Sequence, residues 1–292
     1  MQKMSTVYKS LVFGGEISLA VLDTTELVNE AIRRHGLSPV AAAALGRTLT
    51  ATTYLCSWLK EEDSSLSVTV NGGGAGGKIL TVGDGALNMR GFIENPSVEL
   101  PPRADGKLDV GACVGKTGTL TVIRDDGAGL PFVGTSELVS GEIAEDFSVY
   151  FLTSEQRPTA IALGVKIGTD GTCVGAGGVF LQPMPFASEE AISYAEQEIA
   201  KYGAVSSVIE HEGAEHILRA FGAENVERRT AKFACRCSRK RAESAVLAMG
   251  EAEALAVLRE EGKLSVHCHY CNTEYDFTEI ELAELFRGGD GK

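Results

Sequence analysis

The early part of the chain carries apolar side chains at helical spacing. Asp23 followed by Glu26 marks a helix start, and Gly36 marks the end of that helix. Ser38 and Pro39 then supply an N-cap and a first helical position for a second helix. Apolar and small side chains recur along it every three or four residues: Ala42, Leu45, Leu49, Thr52, Cys56 and Leu59. The spacing predicts two consecutive helices, the second with one buried face.

After this helical part the pattern changes to short β-rich runs. The runs are "LSVTV", "GKILTV", "ALNMRGFI", "GTLTVIR", "FSVYFLTS", "IALGVKI" and "AGGVFLQPMP". Asn-Gly, Asp-Gly and Gly-Gly pairs separate several of them, as expected of turns. A mostly antiparallel sheet covered by the two early helices fits this pattern. We therefore predict an α+β class, with an N-terminal core domain over residues 1–182.

Two further regions follow. Pro183 and Pro185 mark a boundary, and residues 183–230 are helical and charged, with sparse apolar positions. A helical linker of this kind is expected to be stable only when packed on something larger. Residues 231–292 contain two helical runs, a hairpin pattern in "KLSVHCHYCNTEYDFT" and a last helix that Thr278 and Glu281 begin as a capping box. They form a small C-terminal domain.

Composition and charge narrow the classes of function. The 292 residues are 44% hydrophobic, and the formal net charge is −13. This acidity argues against a nucleic-acid partner or an anionic membrane surface. No apolar run approaches the roughly 20 residues of a membrane span, and the N-terminus shows no signal peptide. We expect a cytoplasmic protein in a reducing compartment, where close cysteines bind metal or do redox chemistry more often than they form structural disulfides.

Two glycine-rich stretches imitate nucleotide-binding loops. "NGGGAGGKI" has the glycines and Lys78 of a Walker loop, but Ile79 stands where a magnesium-binding hydroxyl is needed. A strand pattern follows it, so the helix N-terminus that would bind a phosphate is missing. "GKT" at 115–117 lacks the first glycine of the motif, since that position is Val110. A hairpin tip is the better interpretation of the first stretch.

The seven cysteines fall into two groups. Cys56, Cys113 and Cys173 lie far apart, and the default role of such a thiol is that of a small buried side chain. The other four form a C-x-C pair and a C-x-x-C pair with thirty residues between them: Cys235, Cys237, Cys268 and Cys271. Four thiolates in two pairs match the soft, tetrahedral preference of zinc.

We therefore predict one Zn²⁺ per reduced chain, held by these four cysteines. A domain as small as residues 231–292 often needs such a staple, and a structural zinc contributes on the order of 10–16 kcal/mol in finger-like peptides. His267 and His269 flank Cys268 and are expected to face away from it on a strand, so an all-thiolate site is preferred.

A basic run surrounds the C-x-C pair. Its members are Arg228, Arg229, Lys232, Arg236, Arg239, Lys240 and Arg241. It is either a solvated patch, a source of positive charge that lowers thiol pKa values, or a nucleic-acid surface. Aromatic side chains within it are few, essentially Phe233, which disfavours the third interpretation.

At these residues the sequence resembles the thirty-three-kilodalton heat-shock protein family, the redox-regulated holdase chaperones of bacteria. "CRC" and "CHYC" match the zinc motif of the family, and "GRTLTA", "GALNMRGFIENP", "QRPTAIALGV" and "GGVFLQPMP" match its N-terminal domain. The resemblance implies an ATP-independent chaperone rather than an enzyme, with no catalytic residues and no organic cofactor.

The resemblance also implies a switch. Zinc holds the four thiolates in the idle, reduced state. Oxidation then forms disulfides, expected as Cys235–Cys237 and Cys268–Cys271, although pairing across the motifs stays open. Zinc leaves, the C-terminal region unfolds, the linker loosens, and unfolding client proteins bind to exposed apolar surface; active members form homodimers.

Two other functions stay open on the residues alone: a thiol-disulfide oxidoreductase that uses Cys268 and Cys271, and a zinc-ribbon nucleic-acid module. Turnover of a disulfide substrate without loss of fold would favour the first, and salt-dependent binding of RNA or DNA the second.

Overall fold

The structure, a computed structural model, describes residues 4–127 and 129–289. It divides into two compact units, Met1–Ala234 and Cys235–Lys292. The strands are β1 (Ser5–Val12), β2 (Ile17–Asp23), β3 (Ser65–Asn71), β4 (Ile79–Asp84), β5 (Asn88–Ile93), β6 (Thr119–Asp125), β7 (Phe132–Glu137), β8 (Ala160–Ile167), β9 (Cys173–Pro183), β10 (Glu227–Phe233), β11 (Leu264–Cys268) and β12 (Thr273–Phe277). The α-helices are α1 (Thr25–His35), α2 (Pro39–Cys56), α3 (Val110–Val114), α4 (Ala144–Thr153), α5 (Glu189–Ile199), α6 (Val205–Glu212), α7 (Ala214–Ala220), α8 (Arg239–Met249), α9 (Glu251–Glu261) and α10 (Glu279–Gly289).

Ten strands of the first unit form one sheet in the order β7-β6-β3-β4-β5-β10-β1-β2-β9-β8. Every neighbouring pair is antiparallel except β10 with β5. Helix α2 packs against β3, β4 and β5 and also against β8 and β9. Because these strands come from both halves of the order, the sheet curves around α2. The predicted α+β class with a mostly antiparallel sheet is confirmed.

Helix α2 begins as predicted, since the Ser38 side chain accepts a hydrogen bond from the Ala41 amide and Pro39 is the first helical residue. The prediction of one buried face is wrong, because sixteen of its eighteen residues are buried. Its threonine hydroxyls donate to carbonyls one turn back, as Thr48 does to Ala44 at 2.9 Å. These bonds satisfy the polar face of the helix, so all of its surface can enter the core.

The strands beside the linker helices are apolar on both faces. In β2, Ala20 and Leu22 join the core around α2, while Leu19 and Val21 join a second core on the opposite face. Helices α5, α6 and α7 supply the other side of this second core. Their buried apolar residues are Ala191, Ala195, Val205, Ile209, Ala214, Ile217 and Leu218. The sequence placed these helices in a linker separate from the core domain; here they belong to the first unit, because this apolar face of the sheet needs a cover.

Glycines on β8 and β9 let helix α6 approach the sheet. A Cβ at Gly175 would collide with the backbone carbonyl of Ser206, and a Cβ at Gly164 would lie 2.8 Å from the Ser206 amide. Neither glycine has a positive φ, so their role here is to provide space. The absence of a Cβ at these two glycines thus allows the short distance between α6 and the sheet.

Strand β10 is an element that the sequence pattern did not predict. It spans Glu227–Phe233, across the expected boundary at residue 230, and it lies between β5 and β1 in the middle of the sheet. Only Ala231 on it is fully buried, so the strand has no clear apolar alternation. Its role in the sheet places the division between the two compact units after Ala234.

The run "FSVYFLTS" was predicted to be a strand, and this is wrong. It lies in helix α4, whose first turn is fixed by the buried carboxylate of Asp146. That carboxylate accepts hydrogen bonds from the backbone amides of Val139, at 2.8 Å, and Ile143, at 2.9 Å. An aspartate that caps from inside the helix is hard to recognise beside a run of β-branched and aromatic residues.

The second unit has a small core beneath the β11–β12 hairpin. Six apolar side chains are fully buried in it: Ala242, Val246, Ala254, Leu264, Phe277 and Leu282. The predicted capping box of the last helix is present, with the Thr278 amide donating to Glu281 at 2.8 Å. Across residues 4–127 and 129–289, no helix is both long and apolar enough to span a membrane.

Candidate metal centre

The C-x-C pair lies in the short segment between β10 and α8. Cys235 and Cys237 are followed by Ser238, whose side chain caps α8 by accepting from the Arg241 amide. Arg239 then ties this start of the helix to the hairpin. Its guanidinium lies 4.5 Å from the centre of the Phe277 ring. The pair is therefore held by a helix cap on one side and by a contact with β12 on the other.

The C-x-x-C pair forms the turn between β11 and β12. Cys268 ends β11, and its carbonyl accepts hydrogen bonds from the amides of Cys271, at 3.3 Å, and Asn272, at 2.8 Å. Asn272 has a φ of 58°, a left-handed conformation that asparagine tolerates better than most residues. The tight turn directs both thiols to the same side of the hairpin.

The four sulfur atoms meet at one point, all within 4.8 Å of one another. The Sγ atoms of Cys237 and Cys271 are 3.3 Å apart, and those of Cys235 and Cys268 are 3.6 Å apart. Zinc–sulfur bonds of about 2.3 Å in a tetrahedron place neighbouring sulfurs about 3.8 Å apart. The cluster has the size of such a tetrahedron. All four side chains are free thiols here, not disulfides.

The surroundings of the thiols shift their pKa values in opposite directions. Burial raises the pKa of Cys235 and of Cys268 above the ordinary value. Burial also acts to raise the pKa of Cys271, but hydrogen bonds, first with Thr273 and then with the neighbouring thiols, outweigh it and lower that pKa to about 7. The Tyr275 hydroxyl donates to Cys237 Sγ at 3.2 Å. Four thiolates this close repel one another unless a cation lies between them, and the site thus suits a soft divalent metal ion.

Comparison with known proteins finds relatives along nearly the whole chain. The family model described as "Hsp33 protein" matches residues 5–278. The chain is 39% identical over 286 residues to the 33 kDa chaperonin of Alkaliphilus metalliredigens, covering 96% of this chain and 98% of that one. It is 41% identical over 282 residues to the 33 kDa chaperonin of Bacillus cytotoxicus, covering 95% and 97%. The chain belongs to the Hsp33 protein family.

A solved structure supports the same assignment. The crystal structure of the 33 kDa chaperonin, or heat shock protein 33 homolog, from Thermotoga maritima superimposes with a TM-score of 0.90 at 34% identity. The match covers 99% of this chain and all of that one. The family resemblance predicted from the sequence is confirmed, and so is the fold of this Hsp33 family member.

The two histidines beside Cys268 lie outside the cluster. His267 Nε2 is 2.7 Å from the Asn272 side-chain oxygen, so that nitrogen is engaged elsewhere. The His267 and His269 rings meet edge to face at 5.0 Å. Within the part of the chain that the structure describes, the only histidine, cysteine and carboxylate group close enough to hold a metal is the four-cysteine cluster.

The basic run of this Hsp33 family member is divided between the two units. Arg228 lies 5.8 Å from the Tyr8 ring, and Arg229 donates to the carbonyls of Ser57 and Gly85, all within the first unit. Arg239 belongs to the second unit and pairs with Glu281 at 2.6 Å. Arg228, Arg229 and Arg239 therefore each have structural partners within their own unit.

The remaining cysteines are buried at separate places in the first unit: Cys56, Cys113 and Cys173. Burial raises the pKa of Cys113 to about 11 and that of Cys173 to about 12. The Cys56 pKa is raised as well, again by burial. A thiol that is buried and protonated reacts slowly with oxidants.

The two glycine-rich stretches contact each other. The first is the loop of the β3–β4 hairpin, as predicted. Its Gly74 and Gly76 amides donate to the carbonyls of Val114, at 3.0 Å, and Cys113, at 2.8 Å. A Cβ at Gly72 would collide with the carbonyl of Gly115, in the second stretch. These amides already have protein partners, so they do not form a phosphate cradle.

Proposed function

We propose that this chain is a redox-switched, ATP-independent holdase whose resting form carries one zinc ion on Cys235, Cys237, Cys268 and Cys271. The observation that carries the proposal is the four-thiol cluster within a unit that has little other core. Thiolates bind Zn²⁺ tightly in the reduced state, and oxidation removes their ability to do so. The site can thus report the oxidation state of its surroundings.

The zinc would be the main support of the second unit. Six fully buried apolar side chains are a small core for residues 235–292. A structural zinc supplies on the order of 10–16 kcal/mol in finger-like peptides, which is comparable with the whole stability of a typical domain. When bound, the ion neutralises the four thiolates and joins the segment before α8 to the hairpin turn. Loss of the ion then amounts to unfolding of the unit.

Oxidation would release the ion by removing its ligands. Each pair of thiolates gives two electrons to hydrogen peroxide, one S–S bond forms, and the O–O bond breaks; two protons from solvent complete the two water molecules released. Two such steps convert the four ligands. Local pairing, Cys235–Cys237 and Cys268–Cys271, follows the family resemblance. Sulfur contacts of 3.3 Å, between Cys237 and Cys271, and 3.6 Å, between Cys235 and Cys268, cross the motifs instead, so peptide mapping of the oxidised protein decides the connectivity.

The first unit supplies the surface for clients. The second unit follows β10 directly, since Ala234 is the one residue between Phe233 and Cys235. Helices α5 to α7 lead into β10 and cover the apolar outer face of β2 and β9. Unfolding after Ala234 would free the end of β10 and weaken the anchorage of these helices. Their displacement would uncover Leu19, Val21, Val179 and Leu181 for unfolding client proteins.

Two further properties belong to the same proposal. The uncovered outer face offers apolar area through which the oxidised form pairs into a homodimer. A reducing compartment, such as the cytoplasm, keeps the thiols ready to bind zinc. The formal net charge of −13 disfavours nucleic acid or an anionic membrane as the partner.

Parallel assays of zinc release and of client aggregation test the proposal. The reduced protein is expected to hold one zinc and to leave aggregation unchanged, while the peroxide-treated protein loses the ion and suppresses aggregation without ATP. A Cys113→Ala variant is the matched control and keeps the full response. Suppression of aggregation by the zinc-loaded protein at the level of the oxidised one would contradict the switch, and turnover of a disulfide substrate with zinc retained would indicate an oxidoreductase instead.

A further inference from the structure

Strand β8 is one edge of the ten-stranded sheet. It pairs with β9 only, and alternate residues of such a strand direct their amide and carbonyl groups away from the partner strand. Across residues 4–127 and 129–289, no other segment makes a backbone hydrogen bond to Ala160–Ile167. The edge therefore carries a row of main-chain donors and acceptors that another extended strand would match.

This edge forms the floor of a groove. The cavity has a volume of about 740 Å³, and the whole stretch from Ile161 to Ile167 lines it. One wall is formed by α2 and by the start of α4, and the other by the segment from the end of α5 to the start of α6. Side chains of β8 alternate between the walls, since Leu163 and Val165 join the core around α2 while Ala162 joins the outer core.

The recess of the edge selects the kind of occupant. The edge strand of a folded protein comes with covering layers on its sheet, and these would meet the two walls before the strands could pair. A lone extended chain has no such layers. The groove thus fits an unfolded polypeptide segment and disfavours a second folded copy of this chain.

The charged side chains along the groove are largely paired with one another. Arg47 and Arg103 bind Glu142 at 2.6 and 3.0 Å, and Lys166 binds Glu210 at 2.6 Å. Such balanced charges select little by sequence.

We propose that the β8 edge is a main-chain docking strip, on which an extended segment of an unfolded client adds as an eleventh strand. The inference rests on the proposed function and deepens it. Main-chain hydrogen bonds do not depend on side-chain identity, so this mode suits a chaperone with many clients. One wall of the groove is Ile199–Ser207, part of the helices proposed to loosen on oxidation, so access to the strip widens in the active form.

Binding of a short peptide and its backbone-methylated analogues to the peroxide-treated chain tests the proposal. The probe is a fluorescent eight-residue peptide of alternating Val and Thr, and each analogue carries N-methyl groups on one set of alternate residues. Methylation of the set that faces β8 removes three or four hydrogen bonds, so affinity is expected to fall roughly tenfold or more, while methylation of the opposite set leaves it unchanged. Equal affinity for all three peptides would overturn the proposal.

Hydrogen exchange with a reduced, alkylated lactalbumin locates the strand. Alternate amides within 160–167 are expected to gain protection when this client is added, while the opposite edge, β7, gains none. Client binding without that gain overturns the docking strip and leaves the proposed function standing. Protection of the same amides without client, rising with protein concentration, would mean that a second copy occupies the groove and would also overturn it. The peptide titration does not depend on the aggregation assay. A failure of the proposed holdase function can therefore be distinguished from a failure of the docking strip.

Discussion

The two units of this chain are stabilised by different physics. The first unit buries apolar side chains on both faces of a ten-stranded sheet, in two large cores. The second unit has six fully buried apolar residues and a cluster of four thiols. Apolar burial is insensitive to oxidants, whereas thiolate ligation is abolished by them. In the proposed function, a single chain thus combines a durable body with a part whose fold depends on redox conditions.

The contrast extends to the cysteines themselves. The first unit holds three thiols, all buried and with raised pKa values. The second holds four, three of them partly exposed; burial raises the pKa of Cys235 and of Cys268 here too, but the pKa of Cys271 is lowered to about 7. In the proposed function, the redox-sensitive thiols are those of the unit whose fold has least other support.

Removal of the metal should unfold the second unit and leave the first unit folded. In a Cys268→Ser/Cys271→Ser variant, or after chelation, we expect the second unit to lose support on the order of 10 kcal/mol and to unfold. Hydrogen exchange should show lost protection after residue 234 and retained protection in β1 to β9. A Cys56→Ala/Cys113→Ala/Cys173→Ala variant serves as the control and should keep one zinc. Full protection of α8 to α10 without metal would show that apolar burial alone holds this unit.

A methyl group added at Gly175, beneath α6, should expose the outer face of the sheet without oxidation. The Cβ in Gly175→Ala collides with the Ser206 carbonyl, and overpacking of this kind costs about 1–3 kcal/mol. We expect α6 to be displaced, so that the reduced, zinc-loaded protein binds a hydrophobic dye and suppresses aggregation without peroxide.

Gly203 offers the matched control for this variant. It has a helical φ of −57°, and its Cβ would meet no atom within 4 Å, so Gly203→Ala should leave the dye signal unchanged. If Gly175→Ala keeps zinc, binds no dye and stays idle when reduced, the outer face is not what α6 controls.

The positively charged side chain of Arg239 should contribute to the metal affinity of the second unit. Arg239 stacks on Phe277 and pairs with Glu281, but its side chain is 42% exposed, so the contacts are worth about 1 kcal/mol. We expect Arg239→Met to weaken zinc binding about fivefold in a chelator competition. Arg241→Met, at an exposed position of the same helix, should change it little. Equal effects of both variants would attribute the loss to net charge rather than to the stacked contact.

The buried thiols of the first unit should react very slowly with alkylating reagents. With a pKa of about 11, the Cys113 thiol at pH 8 is ionised about a hundredfold less than an unfolded thiol. Because its folded pKa is raised, the contribution of this thiol to stability is complete below about pH 9 and is lost as pH rises toward 11. Mass spectrometry of native labelling and denaturant titrations at several pH values check both statements. Faster labelling of Cys113 than of Cys271 at pH 8, after a chelator has removed any metal from Cys271, would contradict them.

The sequence carried enough information to predict that the four cysteines lie together, and the reason is local. Two short motifs fix the spacing within each pair, and Asn272 and Ser238 mark the turn and the cap that orient them. The capping of α2 and the hairpin at the first glycine loop are equally local. In each case a few neighbouring residues determine the geometry, so no knowledge of distant contacts is needed.

Other parts of the fold depend on partners far away in sequence. Strand β10 has little apolar alternation and becomes a strand because β1 and β5 supply its hydrogen bonds. The burial of all sides of α2 requires a sheet that curves around it. Helix α4 begins at a carboxylate that serves as a cap from within its first turn. For β10 and α2 the deciding groups lie on other elements, and for α4 the cap lies inside the helix, where the local pattern does not mark it. None of these features can therefore be read from local periodicity.

The place of β10 in the sheet also has a consequence for how the chain is made. A ribosome releases β1 to β9 before it releases β10, yet β10 is the strand that joins β5 to β1. Until residue 233 has left the exit tunnel, both of these strands end in open edges, which invite pairing with other nascent chains. Closure of the sheet requires contacts across more than 220 residues, such as Ser5 with Ala231, and such non-local pairing is slow. A protein proposed to shelter unfolding chains therefore passes through a late stage of synthesis in which it needs shelter itself.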